Sequence, residues 1–321
     1  MKHLYRTLND TLQAKYGQKI RKICIDGGFT CPNRDGTCGF GGCAFCGERG
    51  AGEQLDASKT IYQQAFSVLE KAPADSKWIL YFQNFTNTYA PTSILKERYD
   101  AALIDERIKI LDIGTRPDCI DEEKAALLSS YAEKYEVWVE LGLQTAHDVT
   151  AKKINRGYNL DCFINAVNVL KKHHLPVIVH IILGLPGETL DDVRKTIDLL
   201  NFLHVDGVKI HSLFVMRDTQ LENWYRSGEF TPISMQQYIE WALDCIMRLS
   251  PEIVIHRLTG NCLRNLLVAP DWIIQRDLIL YTIDRRMYNE HLFQGCKYQE
   301  CDAVPHETIA KSNILGTGDE I

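Results

Sequence analysis

The chain has 321 residues, with 45% apolar and 24% charged side chains and a formal net charge of −6. These values describe a globular protein of one large or two small domains. They do not suggest a dominant electrostatic grip on nucleic acid, though they leave room for a local basic patch, and no apolar run approaches the ~18 residues of a membrane span. The N-terminal segment has no apolar h-region, so a cytoplasmic location is expected.

In chain order, apolar runs alternate with helical patterns. Strands are predicted at 20–27, 78–85, 108–115, 137–144, 176–184 and 207–215. Near-continuous apolar runs of this kind suit strands covered on both faces. Helical stretches begin at Lys59 and Ser93 around the second strand, and at Glu122, Leu160 and Leu190 after the third, fourth and fifth. Asp121 and Asp161 are candidate capping residues. Six βα units predict a partial (β/α)6 TIM-type barrel, with its chemistry at the C-terminal strand ends. From residue 220 the pattern is mainly helical, with a short strand at Glu252–Leu258, so the expected division is 1–219 and 220–321. The last stretch, from Ala310, reads as loosely ordered.

Eleven cysteines are many for a reducing compartment, and five lie between Cys24 and Cys46. Clustered cysteines there point to metal or catalysis rather than disulfides. Cys43 and Cys46 form a C-x-x-C pair, with Cys31 upstream across eleven residues, in a loop whose glycines (36, 39, 41, 42 and 47) permit tight folding. Three thiolates suit a cubic iron–sulfur cluster with one open iron. A structural zinc site needs a fourth ligand, which Cys38 could supply. Cys245, Cys262, Cys296 and Cys301 are too irregularly spaced to favour a second site and read as buried or free thiols.

The segment Cys31-Pro32-Asn33 followed by Cys43-Ala44-Phe45-Cys46 resembles the cluster loop of radical S-adenosylmethionine (SAM) enzymes, with an aromatic before the last cysteine. The long first gap resembles the variant in the Elongator catalytic subunit and its short bacterial YhcC-like relatives. So do YFQNFTNTYAP, IGTRPDC, ELGLQTAHD with INRGYN, HIILGLPGET, VDGVKIHSLFV and HRLTGN. The resemblance implies a radical SAM barrel with a [4Fe-4S] cluster on Cys31, Cys43 and Cys46 and SAM chelated at the open iron. One electron, from a protein such as flavodoxin or ferredoxin, would then yield a 5′-deoxyadenosyl radical that abstracts hydrogen from a substrate. The Elongator likeness implies a tRNA wobble uridine as that substrate, without the acetyltransferase domain, for which the chain is too short. A small-molecule or protein substrate and a non-catalytic zinc adaptor are the other readings.

The same resemblance places Gln144 at the SAM ribose, Arg156 at the SAM carboxylate, and Gln83, Asn84 and Asn87 near the SAM amino group. It places Gly184 of GLPGET where the backbone approaches adenine. Arg156 also reads as a surface arginine, and the amides as turn caps. Alternation aligns Glu140 with Gly142 and Gln144, where a charge needs a partner. His180 reads equally as a ligand-facing or a core histidine. Arg116 and Asp118 are candidate mouth residues, and Lys209 and His211 alternate inward. Tyr89, Tyr158 and His256 are candidate substrate-side groups. Lys15, Lys19, Arg21 and Lys22 form a basic segment that would touch phosphates.

Overall fold

A computed structural model describes residues 3–50, 52–56 and 58–299. The expectations for Cys301 and for the stretch from Ala310 lie outside the described residues.

The elements follow in order: α1 (Leu8–Tyr16), β1 (Arg21–Ile25), α2 (Ile61–Leu69), β2 (Trp78–Phe82), α3 (Thr92–Ala102), β3 (Ile108–Thr115) and α4 (Glu122–Tyr131). Then come β4 (Glu136–Gln144), α5 (Asp148–Lys153), α6 (Leu160–Lys172), β5 (Val177–Leu183), α7 (Leu190–Phe202), β6 (Gly207–Ser212) and β7 (Val215–Met216). The chain continues with α8 (Gln220–Ser227), α9 (Met235–Arg248), β8 (Val254–Arg257), β9 (Leu267–Ala269) and α10 (Arg276–Asn289).

A seven-stranded sheet runs β1-β2-β3-β4-β5-β6-β8, every neighbouring pair parallel, and curls into a half-barrel. The sequence predicted six strands. The short strand expected among the C-terminal helices adds a seventh, because Val254–Arg257 hydrogen-bonds the free edge of β6. The predicted sixth strand divides: β6 stops at Ser212, and Val215–Met216 turns away to pair with β9. The boundary expected at 219/220 falls between β7 and α8.

Each sheet face is covered for a reason visible in the chain. The outward residues of the strands are fully buried Ile, Leu and Val, packed under helices such as α6, which presents Phe163, Val167 and Leu170. Burying one such side chain contributes about 1.5–3 kcal/mol. Asp121 caps α4 by accepting from Lys124 N. For α6 the cap is Asn159, not Asp161, which lies in the first turn where a negative charge meets the helix dipole.

Inward residues form layers. At the N-terminal end Ile79, Ile110, Trp138 and Ile178 close the barrel, with Leu12 of α1 as plug. Lys19 and Arg21 lie at this end, before and at the start of β1, and Lys15 pairs there with Glu136 at 2.7 Å. The opposite ends of the strands open onto the long loop after β1, which carries the cysteines.

Candidate active site

The cysteine loop is held by backbone and amide contacts. Arg34 and Asp35 donate their N–H groups to Cys31 O, and Cys46 N donates to Cys43 O at 2.9 Å. The Arg34 guanidinium donates to the carbonyls of Cys46, Gly47 and Glu48. Buried Asn33 donates to Asn155 O at 2.6 Å and approaches Cys43 Sγ at 3.9 Å. A side chain at Gly39 would collide with Asn33 Oδ1 at 2.2 Å, so this crossing requires glycine. Asn155 returns its own side-chain amide to Gly42 O at 2.8 Å, and Ala44 N donates to Ile154 O. The INRG segment after α5 is thus the platform on which the loop is clamped.

Cys31, Cys43 and Cys46 line one cavity of about 800 Å³ at the strand ends. That volume lies in the ordinary range for small-molecule sites. A hydrogen bond between Cys43 and Cys46 splits their acidities, raising Cys43 well above the usual thiol value and lowering Cys46. Cys38 is exposed and directed at Asp118, with its Sγ 3.6 Å from Asp118 Oδ2. Among the described residues no group of three or more His, Cys, Asp or Glu is disposed to hold a single metal ion. A cubic cluster spreads its thiolates over the corners of a cage, and three thiols on one cavity wall suit it.

The expected SAM contacts divide. Gln83 and Gln144 line the cavity beside the cysteines. Gln144 ends β4 with φ of 66°, a left-handed conformation that a non-glycine residue adopts only when its surroundings hold it there. Asn84 lies behind the wall, donating to Asp26 Oδ2 at 2.9 Å and packed against Gly52. Asn87 donates to the carbonyls of Phe82 and Gly114. Gly184, with φ of 86°, faces Ile233 rather than the cavity.

Arg156 is placed differently from the expectation for it. It is buried, and its guanidinium donates to Leu143 O, Thr145 O, Tyr158 O and Asp148 Oδ1. Every N–H of the fork has an acceptor inside the protein, and the side chain lies on the wall of the same cavity as the cysteines. Arg116 is equally committed: it forks onto Asp118 at 2.6 and 2.9 Å, donates to Arg156 O, and lies over the Tyr158 ring. Tyr158 donates its hydroxyl to Gly142 O, and Tyr89 shares a hydrogen bond with Thr37 of the cysteine loop at 2.7 Å.

Deeper in the barrel lies a charged layer. Glu140, fully buried, accepts from Lys209 and from His180 Nε2 at 2.8 Å. Lys22 Nζ sits 2.8 Å from Asp112 Oδ2 and 3.8 Å from Glu140. Both lysines lie over the Tyr81 ring, at 4.2 and 4.5 Å. His180 stacks on His211 at 5.2 Å, and His256 meets Trp138 edge-on. Burial favours the neutral form of Glu140, but Lys209 and Lys22 outweigh it and hold the carboxyl well below its usual range. Burial and the neighbouring Glu140 push Asp112 up to about 7. Burial draws Lys209 down to about 8 and keeps His211 and His256 well below the usual imidazole value.

Lys22 thus turns into the barrel and lines the cavity, apart from the rest of its basic segment. Lys15 and Lys19 lie with Arg21 at the end of the barrel remote from the cysteines. Asp112 escaped the sequence reading, although a lone acid inside the run IKILDIGT, alternating with Ile110 and Gly114, signals an inward charge that needs a partner.

The family profile described as "Radical SAM superfamily" matches residues 34–200, which include Cys43 and Cys46, and "Radical_SAM C-terminal domain" matches 205–289. The chain belongs to the radical SAM superfamily and is an enzyme of that class. The protein YtqA of Bacillus subtilis is 36% identical over 302 residues, 93% of this chain and 94% of that protein. YhcC of Escherichia coli K12 is 34% identical over 296 residues, 92% of this chain and 96% of that protein. A tRNA uridine(34) acetyltransferase of Methanocaldococcus infernus is 31% identical over 154 residues, 45% of this chain and 28% of that protein. The structure of the archaeal Elp3 of the same organism superposes with a TM-score of 0.65 at 19% identity, covering 86% of this chain and 64% of that one. Radical SAM enzymes work with SAM and a [4Fe-4S] cluster. Among the described residues no helix is long and apolar enough to cross a membrane.

Proposed function

We propose that the protein holds its [4Fe-4S] cluster on Cys31, Cys43 and Cys46 and acts on a uridine of RNA, the tRNA wobble position, from the strand-end cavity. The observation that carries the reading is that the three thiols, the amides of Gln83 and Gln144, and the charged layer below all face one cavity. The bound pair of cluster and SAM supplies hydrogen-atom abstraction after one-electron cleavage of SAM. Gln83 and Gln144 present amide donors and acceptors to the polar groups of SAM. Arg156 and Asn155 act as positioning residues, fixing the loop and the end of β4 through carbonyl contacts. Glu140 and His180 belong to the inner wall, on the substrate side. Asn84 and Gly184 shape the wall from behind.

The RNA part rests on the likeness to the tRNA uridine(34) acetyltransferase and to Elp3. An exposed Phe40 on the cysteine loop is of the kind that stacks on unpaired bases. Electrons would come from a protein such as flavodoxin or ferredoxin, in the cytoplasm. The test is anaerobic incubation of reconstituted protein with SAM and a low-potential reductant, with and without bulk tRNA. Formation of 5′-deoxyadenosine that rises when tRNA is present is the expected result. Formation indifferent to tRNA would remove the RNA reading and leave a small-molecule or protein substrate.

A further inference from the structure

The inner end of the cavity has one cation beyond those it balances. Lys22 and Lys209 are paired with Asp112 and Glu140. Arg257, the exposed last residue of β8, stands opposite Lys209 of β6 and lines the same cavity. Among the described residues its guanidinium forms no hydrogen bond or ion pair. Its charge still reaches inward, opposing protonation of His180 and His211.

Two buried ring nitrogens of residues in the same lining, His211 Nε2 and His256 Nδ1, also have no hydrogen-bond partner. Both rings are held neutral by burial, so each carries one N–H and one lone pair. A buried ring nitrogen without a partner is costly and is satisfied by whatever fills the cavity. A cationic ligand is a poor match. Glu140 Oε1 and Asp112 Oδ1 are buried without a hydrogen-bond partner and would take a neutral donor, but Lys22, Lys209 and Arg257 repel a cation. An oxyanion is a good match, because a guanidinium fork fits a carboxylate or phosphate, and His211 in the tautomer protonated at Nε2 completes it.

We propose that this inner end is a receptor for a compact oxyanion on the substrate, a carboxylate or a phosphate. Arg257 and His211 are its direct ligands, and the Lys22–Asp112–Glu140–Lys209 quartet is the fixed frame around it. The quartet holds His180, and His180 in turn stacks on His211, so the receiving ring is oriented before the anion arrives. The inference rests on the reading above only in that the substrate enters the strand-end cavity.

The test follows ring signals of the histidines by nitrogen–proton NMR in anaerobic full-length protein, with His211 assigned through His211→Gln. Sodium acetate and inorganic phosphate are titrated separately against sodium chloride of equal ionic strength. The expected result is a saturable shift of the His211 signal, weakened about tenfold in Arg257→Gln, the loss of one charge-assisted contact. Arg257→Lys is expected to weaken it less. Preference for acetate assigns a carboxylate, and preference for phosphate assigns a phosphate. A His211 signal that follows only ionic strength, or a saturable shift unchanged in Arg257→Gln, overturns the proposal. SAM cleavage does not enter this measurement, so its failure leaves the radical SAM assignment standing.

Discussion

The two inner layers of the barrel come from the same strands, two residues apart, and they solve opposite problems. Ile79, Ile110, Trp138 and Ile178 close one end with apolar surface. Tyr81, Asp112, Glu140 and His180, each two positions further on, build a charged layer, of which Tyr81, Glu140 and His180 line the cavity. The apolar layer is held by area and shape. The charged layer is held by mutual neutralisation, since a buried ion is tolerated only when it is paired. The first is a seal that accepts small changes of shape; the second fails when a single partner is removed.

Near-isosteric changes in the two layers break that comparison open. Glu140→Gln leaves Lys209 and part of Lys22 without their counter-charge, and is expected to cost about 3–5 kcal/mol in urea unfolding. Asp112 gives the next largest effect, as a pH dependence. Its folded pKa of about 7 lies above an unfolded value of about 3.9. Its contribution is therefore fully present below about pH 4 and is lost as pH rises through about 7. Asp112→Asn is expected to remove that decline, of a few kcal/mol, from urea midpoints measured across this range. In the apolar layer Ile110→Val should cost only about 0.5–1.5 kcal/mol by the same method. Outside the barrel, Lys15→Ala breaks a partly exposed pair and should change stability by less than about 1 kcal/mol. If Ile110→Val proved as damaging as Glu140→Gln, the distinction between the layers would collapse.

The barrel was legible because the strands are continuous apolar runs and the helices between them carry caps. The seventh strand was visible as a strand, but its partner was not, because pairing with β6 is a long-range choice. The cysteine loop was legible from spacing and glycine content. The setting of Arg156 was not: a sequence shows a guanidinium at the right distance from Gln144, but not the four backbone and side-chain acceptors around it. The inward turn of Lys22 was missed because it sits in a basic segment. Alternation with Cys24, which also lines the cavity, would have turned it inward. Gln83 and Asn84 are adjacent in sequence and differ because alternation sends one to the cavity and the other behind it. Arg257 carried no signal of its own until β8 joined the sheet.

The most direct test of the account is iron, sulfide and zinc content with a visible absorption spectrum, on anaerobically reconstituted protein beside Cys43→Ala. The account predicts about four irons per chain and a broad thiolate-to-iron charge-transfer band, both lost in the variant. One zinc per chain, no iron and a featureless spectrum would contradict it.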